Sequence, residues 1–175
     1  MNIYLIGYRC TGKTSVGRML AERLGWRFVD TDQYIVEKSG QSISQMVADH
    51  GWSHFRQKEK QALTELNNYD QLVLATGGGI ILDPANLAIL KDNKNFVIWL
   101  QAGAETIYHR MKGDEQSDAL RPALTESPLF HEIQETLAER RFYYESAADL
   151  AVGTDQIPFE EVYNSILEAL NSRKY

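Results

Sequence analysis

The chain has 175 residues, 43% hydrophobic and 24% charged, which suits one folded domain with a full core and makes disorder not the default. A net charge of −6 argues against a general binder of nucleic acid or anionic membranes, and no apolar run approaches the roughly 20 residues of a membrane span. The chain enters an apolar stretch at once, without a charged leader, and Cys10 is the one cysteine; both fit a cytoplasmic protein, expected as a monomer.

Asn2 to Ile6 is a short run of strand formers. It leads into Gly7-Tyr8-Arg9-Cys10-Thr11-Gly12-Lys13-Thr14, which reads G-x-x-x-x-G-K-[ST], the phosphate-binding loop. A helix starting near Lys13 follows, with Val16, Met19, Leu20 and Leu24 at helical spacing and Gly25 as its stop. Strand, glycine-flanked loop and helix thus occur in the order that aims backbone N–H groups and a positive helix end at a polyphosphate. Lys13 can reach the β- and γ-phosphates, and Thr14 can place a hydroxyl on Mg²⁺.

Trp26 to Asp30 reads as a second strand, Asp32 to Ser39 as a helix closed by Gly40, Ile43 to His50 as a short helix and Trp52 to Asn67 as a longer one. Gln71 to Thr76 is a buried strand running into Gly77-Gly78-Gly79. A helix starts near Pro84 and runs to about Lys91, Asn95 to Leu100 is a strand, and Ala104 to Met111 is helical. Lys112 to Glu126 is polar and reads as the one long loop. Pro128 to Ala148 is a long helix, Leu150 to Val152 a fifth strand, and Pro158 to Asn171 a final helix. Short apolar strands alternating with helices predict a five-stranded parallel sheet covered on both faces, with ligands beyond the carboxyl ends of the strands.

Asp30-Thr31-Asp32 places two carboxylates at such an end. If extended, residues two apart share a face, and the pair could order Mg²⁺ and orient or deprotonate a hydroxyl; alternatively, Thr31 or Asp32 simply caps the next helix. Arg56 and Glu59 are i,i+3 neighbours, a spacing usual for solvated ion pairs. Three consecutive glycines exceed what a tight turn needs and suit close approach to a ligand. Arg121 could close over a triphosphate or be an exposed loop arginine, and of Arg140 and Arg141 at least one should face solvent. His50 and His54 lack a neighbouring glutamate, so no zinc site is read. Cys10 reads as a small residue fitting its turn.

Together these residues resemble a shikimate kinase, over essentially the whole chain. The resemblance rests on the phosphate loop, Asp30-Thr31-Asp32, Phe55-Arg56 with Glu59, Gly77-Gly78-Gly79, Arg121-Pro122, and Arg140 four residues before Tyr144-Glu145. It implies an α/β three-layer fold of the nucleoside-monophosphate-kinase type, with a substrate-binding region at about 32–60 and a lid at about 112–124. It implies ATP and Mg²⁺ at Cys10, Thr11, Gly12, Lys13, Thr14 and Ser15, with Thr14 as direct metal ligand and Asp30 acting through water. It implies that Asp32 holds the shikimate hydroxyls and serves as base. Arg56 and Arg140 would clamp the carboxylate, Gly78 and Gly79 offer amides, and Glu59 supports Arg56. Arg121 would meet the phosphates, with Arg110 and Gln156 flanking adenine. Many relatives have glycine where this chain has Cys10 and a small or apolar residue where it has Arg9. A gluconate-type kinase of the same fold, and a nucleotide-binding module without catalysis, are the alternatives that assays must separate.

Overall fold

The computed structural model describes residues 1–113, 124, 127–155 and 157–172. Its strands are β1 (Asn2–Ile6), β2 (Arg27–Asp30), β3 (Leu72–Ala75), β4 (Asn95–Gln101) and β5 (Leu150–Gly153). Its helices are α1 (Lys13–Leu24), α2 (Thr31–Ser39), α3 (Ile43–Leu66), α4 (Pro84–Leu90), α5 (Ala104–Gly113), α6 (Leu129–Ala147) and α7 (Phe159–Ser172). The strands form one parallel sheet in the order β2-β3-β1-β4-β5. This is the predicted α/β architecture.

The sheet is buried from both sides, so alternate residues of one strand serve different cores. Ile3 and Leu5 of β1 pack with Val16 and Leu20 of α1 and with Val162, Ile166 and Leu170 of α7. Tyr4 and Ile6 point the other way, into a core with Leu63 and Leu66 of α3, Leu90 of α4 and Tyr144 of α6. β1 is therefore wholly buried, and the loop that leaves it stands on the most enclosed strand of the sheet.

The helix after β2 forms as expected, but neither Thr31 nor Asp32 is its cap. α2 starts at Thr31, and the cap is Asp30, whose Oδ1 accepts from the backbone N–H groups of Asp32 (3.1 Å) and Gln33 (3.3 Å). A short 3₁₀ turn, Ile80–Leu82, also follows the glycine run and was not anticipated. The two helices expected on either side of Gly51 are the arms of α3. They meet at a kink where Gly51 has φ +79° and ψ 168°, a conformation that side-chain-bearing residues avoid. Among the described residues no helix is long and apolar enough to cross a membrane.

Candidate active site

The phosphate loop is held by its own backbone. Gly7 sits at φ +138°, and a Cβ there would strike the Leu100 carbonyl oxygen of β4. The Thr11 hydroxyl donates to the Tyr8 carbonyl at 2.8 Å. Lys13 is buried, and its ammonium donates to the carbonyls of Gly7 (2.9 Å) and Tyr8 (2.5 Å). The cation is thus fixed at the mouth of the loop. Cys10 takes a left-handed φ of +59°, which explains physically why glycine suits that position. The Cys10 carbonyl accepts from Nη1 of Arg110 (3.1 Å), which also donates to Thr154 Oγ1 (3.2 Å), while Nη2 donates to the Thr154 carbonyl (2.6 Å). Arg110 ties the loop to the segment leaving β5.

Asp30 divides its carboxylate between two tasks. Oδ1 caps α2, and Oδ2 accepts from the Thr14 hydroxyl at 3.0 Å. A hydroxyl and a carboxylate oxygen therefore stand side by side at the first turn of α1. Hard oxygen donors of this kind suit Mg²⁺, which takes few protein ligands and shares the rest with water and phosphate. Among the described residues no group of three or more His, Cys, Asp or Glu side chains forms a metal cage of its own. The donor set fits Mg²⁺ bound together with a nucleotide.

Beside the loop lies an open cavity. Asp32, Arg56, Glu59, Gly77, Gly78 and Arg140 line it. Arg56 pairs with Glu59 Oε2, and its guanidinium lies 5.3 Å from the Trp52 ring centre and 5.7 Å from that of Phe55. Glu59 is 1% exposed, so this is not the solvated pair its spacing suggested. Burial pushes the Glu59 carboxyl up to about 7; Arg56 and Arg140 pull it down and Asp32 adds to the rise.

The three glycines now have separate reasons. A Cβ on Gly77 would overlap Glu59 Oε1 and crowd Asp32 Oδ1, and a Cβ on Gly79 would overlap the Arg56 guanidinium. Gly78 packs against the phosphate loop, 3.3 Å from the Gly7 carbonyl oxygen for a Cβ placed there. Its own carbonyl accepts from the Tyr144 hydroxyl (2.6 Å) and from Arg140 Nη1 (3.1 Å). Burial raises the Tyr144 hydroxyl to about 12, so it stays a donor. On α6, Glu132, Thr136, Arg140 and Tyr144 recur every four residues as one buried polar stripe. Arg141 faces solvent and pairs with Glu145 at 2.8 Å.

A family model described as shikimate kinase matches residues 9–171. The chain is 41% identical to the shikimate kinase of Syntrophus aciditrophicus (strain SB), covering 99% of this chain and 93% of that one. The chain belongs to the shikimate kinase family. The structure of shikimate kinase from Acinetobacter baumannii in complex with shikimate superposes with a TM-score of 0.90 at 35% identity, covering 99% of this chain and 94% of that one. Shikimate kinase from Aquifex aeolicus gives 0.82 at 33% identity, with 99% and 98% covered.

Against the residues that the family resemblance singled out, Asp32, Arg56, Glu59, Gly78 and Arg140 meet on one cavity wall, with Gly79 behind Arg56. Gly12, Lys13, Thr14 and Ser15 sit at the start of α1, beside Cys10 and Thr11. Arg121, Gln156 and most of the region expected as a shikimate kinase lid lie outside the described residues. Sequence reasoning did not foresee Tyr8, Arg9, Ile43, Trp52, Phe55 and Leu124 as cavity-lining residues. Trp52, one turn ahead of Arg56, and Phe55, immediately before it on the same helix, were the available signal. Leu124 is the last residue of the region that the resemblance assigned to a lid.

Proposed function

We propose that the chain transfers the γ-phosphoryl group of ATP to the 3-hydroxyl of shikimate, giving ADP and shikimate 3-phosphate on the route to chorismate and the aromatic amino acids. One observation carries the reading. Two guanidinium groups from different elements, Arg56 on α3 and Arg140 on α6, converge with the Asp32 carboxylate in a cavity that adjoins the phosphate loop. A small cyclic acid with hydroxyl groups complements that wall: carboxylate to the arginines, hydroxyl to Asp32.

In the proposed reaction the shikimate oxygen forms a bond to the γ-phosphorus as the bond to the β–γ bridging oxygen breaks. The hydroxyl proton passes to Asp32, and ADP departs. Lys13 neutralises charge on the transferred group, and the resemblance gives Arg121 the same task. Thr14 directly and Asp30 through water would hold Mg²⁺, which would neutralise phosphate charge when bound. Cys10 to Ser15 cradle the phosphates with backbone amides. Glu59 holds Arg56, and Arg110 with Gln156 flanks the base. The protein otherwise supplies alignment and exclusion of water. We read residues 32–60 as the substrate-binding region and 112–124 as the lid of one catalytic domain, working as a cytoplasmic monomer.

A coupled ADP-release assay tests this. ADP release should depend on shikimate and not on gluconate. Release with gluconate alone would move the chain to the sugar-acid kinases, and ATP binding without acceptor-dependent release would make it a non-catalytic module. Arg140→Ala should raise the shikimate KM while ATP binding persists, and Asp32→Asn should abolish most turnover.

A further inference from the structure

Arg9 has no part in the reaction as written, yet its side chain is built into the site. It is 8% exposed, and its Nη2 donates to Glu132 Oε1 at 2.5 Å. Its Nε donates to the Tyr8 hydroxyl at 3.3 Å, and that hydroxyl donates to the same Glu132 oxygen at 3.4 Å. The second oxygen, Oε2, accepts from the Leu124 backbone amide at 2.9 Å. Glu132 is 1% exposed and stands two turns ahead of Arg140 on the buried stripe of α6. A single carboxylate therefore joins the phosphate loop, α6 and Leu124. Arg9, Leu124 and Arg140 all line the cavity.

Stability alone does not explain such a pair. Withdrawing two charges from water costs much of what their attraction returns, and apolar side chains of similar volume often hold a fold as well. What an ion pair adds is direction: a guanidinium and a carboxylate fix distance and angle together. Here the two ends of the link are the element that places the phosphate and the element that places Arg140. The depth at which Arg140 can meet a bound carboxylate depends on the register of those two elements.

We infer that Arg9 and Glu132 are positioning residues for the acceptor substrate: they lock α6 and Leu124 to the phosphate loop, so that Arg140 meets the substrate carboxylate at the right depth in the cavity. The inference rests on the cavity being the shikimate site. Neither side chain needs to touch substrate. The link acts through Arg140 on one side and through the wall formed by Leu124 on the other.

Steady-state kinetics of the full chain test it, with Glu132→Gln, Arg9→Met and the double variant Arg9→Met with Glu132→Met. The shikimate KM should rise about tenfold in each, with the ATP KM and kcat within about twofold, because binding of one substrate alone is weakened. The double variant should be no worse than either single change, because one link is lost in all three. If a single variant fails to fold, the double variant, which leaves no buried charge unpaired, decides. An unchanged shikimate KM, a parallel rise in both KM values, additive losses, or failure of every variant to fold overturns the inference. If the unmodified chain shows no shikimate-dependent ADP release, the reading of the cavity falls and takes this inference with it. Normal activity in the unmodified chain with unaffected variants sinks the inference alone.

Discussion

Gly79 isolates the contribution of one side chain's position. Its φ is −98°, so alanine fits the backbone there, and the whole effect of a Cβ falls on the Arg56 guanidinium it would displace. Gly79→Ala should cut kcat/KM for shikimate by about a hundredfold, the scale of a misplacement near 1 Å, with little change in ATP affinity. Initial-rate measurements against each substrate check this. Glu59 makes the second residue-level prediction. Its carboxyl lies at about 7 in the folded chain and near 4.5 when exposed, and Oε1 has no hydrogen-bond partner among the described residues. The folded state therefore binds a proton that the unfolded state releases, and stability from this group is complete below about 4.5 and lost as pH rises through about 7. Glu59→Gln cannot titrate. The melting temperature of the parent relative to that variant should fall across this window, and a flat difference would refute the account.

At the scale of elements, α2 shows both what the sequence reveals and what it hides. Alternating apolar runs and glycine stops marked nearly every strand and helix, because periodicity and turn chemistry are local properties. The cap was misplaced because Asp30, Thr31 and Asp32 are all good capping residues, and only the end of β2 decides among them. The two roles of Asp30 can be pulled apart. Asn is as good a cap, so Asp30→Asn should change stability by less than about 0.5 kcal/mol while raising the Mg²⁺ needed for half-maximal activity several-fold. Asp30→Ala removes the cap as well and should cost about 1 kcal/mol more in urea unfolding. The Arg56–Glu59 pair was hidden differently. Its i,i+3 spacing looks the same in solvent and in a core, and only Gly77, absent as a side chain, lets Glu59 reach its buried place.

Over the whole molecule, the strand order β2-β3-β1-β4-β5 gathers the segments leaving β1, β2 and β3 at one end of the sheet. The sequence predicted that those ends would matter, since ligands sit there in parallel sheets. The resemblance implied that Arg140 would reach them, but not that α6 would carry Glu132 and Tyr144 on the same buried face, because such closure depends on contacts more than a hundred residues apart for the Arg9–Glu132 pair. The core on the α1–α7 side shares no residue with the cavity lining. Ile166→Ala on α7, fully buried against the β1 side of that core, should therefore cost about 2–5 kcal/mol in denaturant unfolding and leave both KM values unchanged at temperatures where the chain stays folded. A change in shikimate KM would show that the two cores are coupled.

The doubly bonded carbonyl of Gly78 reaches one bond further than the cavity wall. It belongs to the same planar amide group as the Gly79 N–H. Two donors drawing on the oxygen, one of them cationic, polarise that amide and sharpen its proton as a donor before any acceptor arrives. The Gly79 amide proton should then resonate downfield of an ordinary glycine, and Tyr144→Phe should return it upfield.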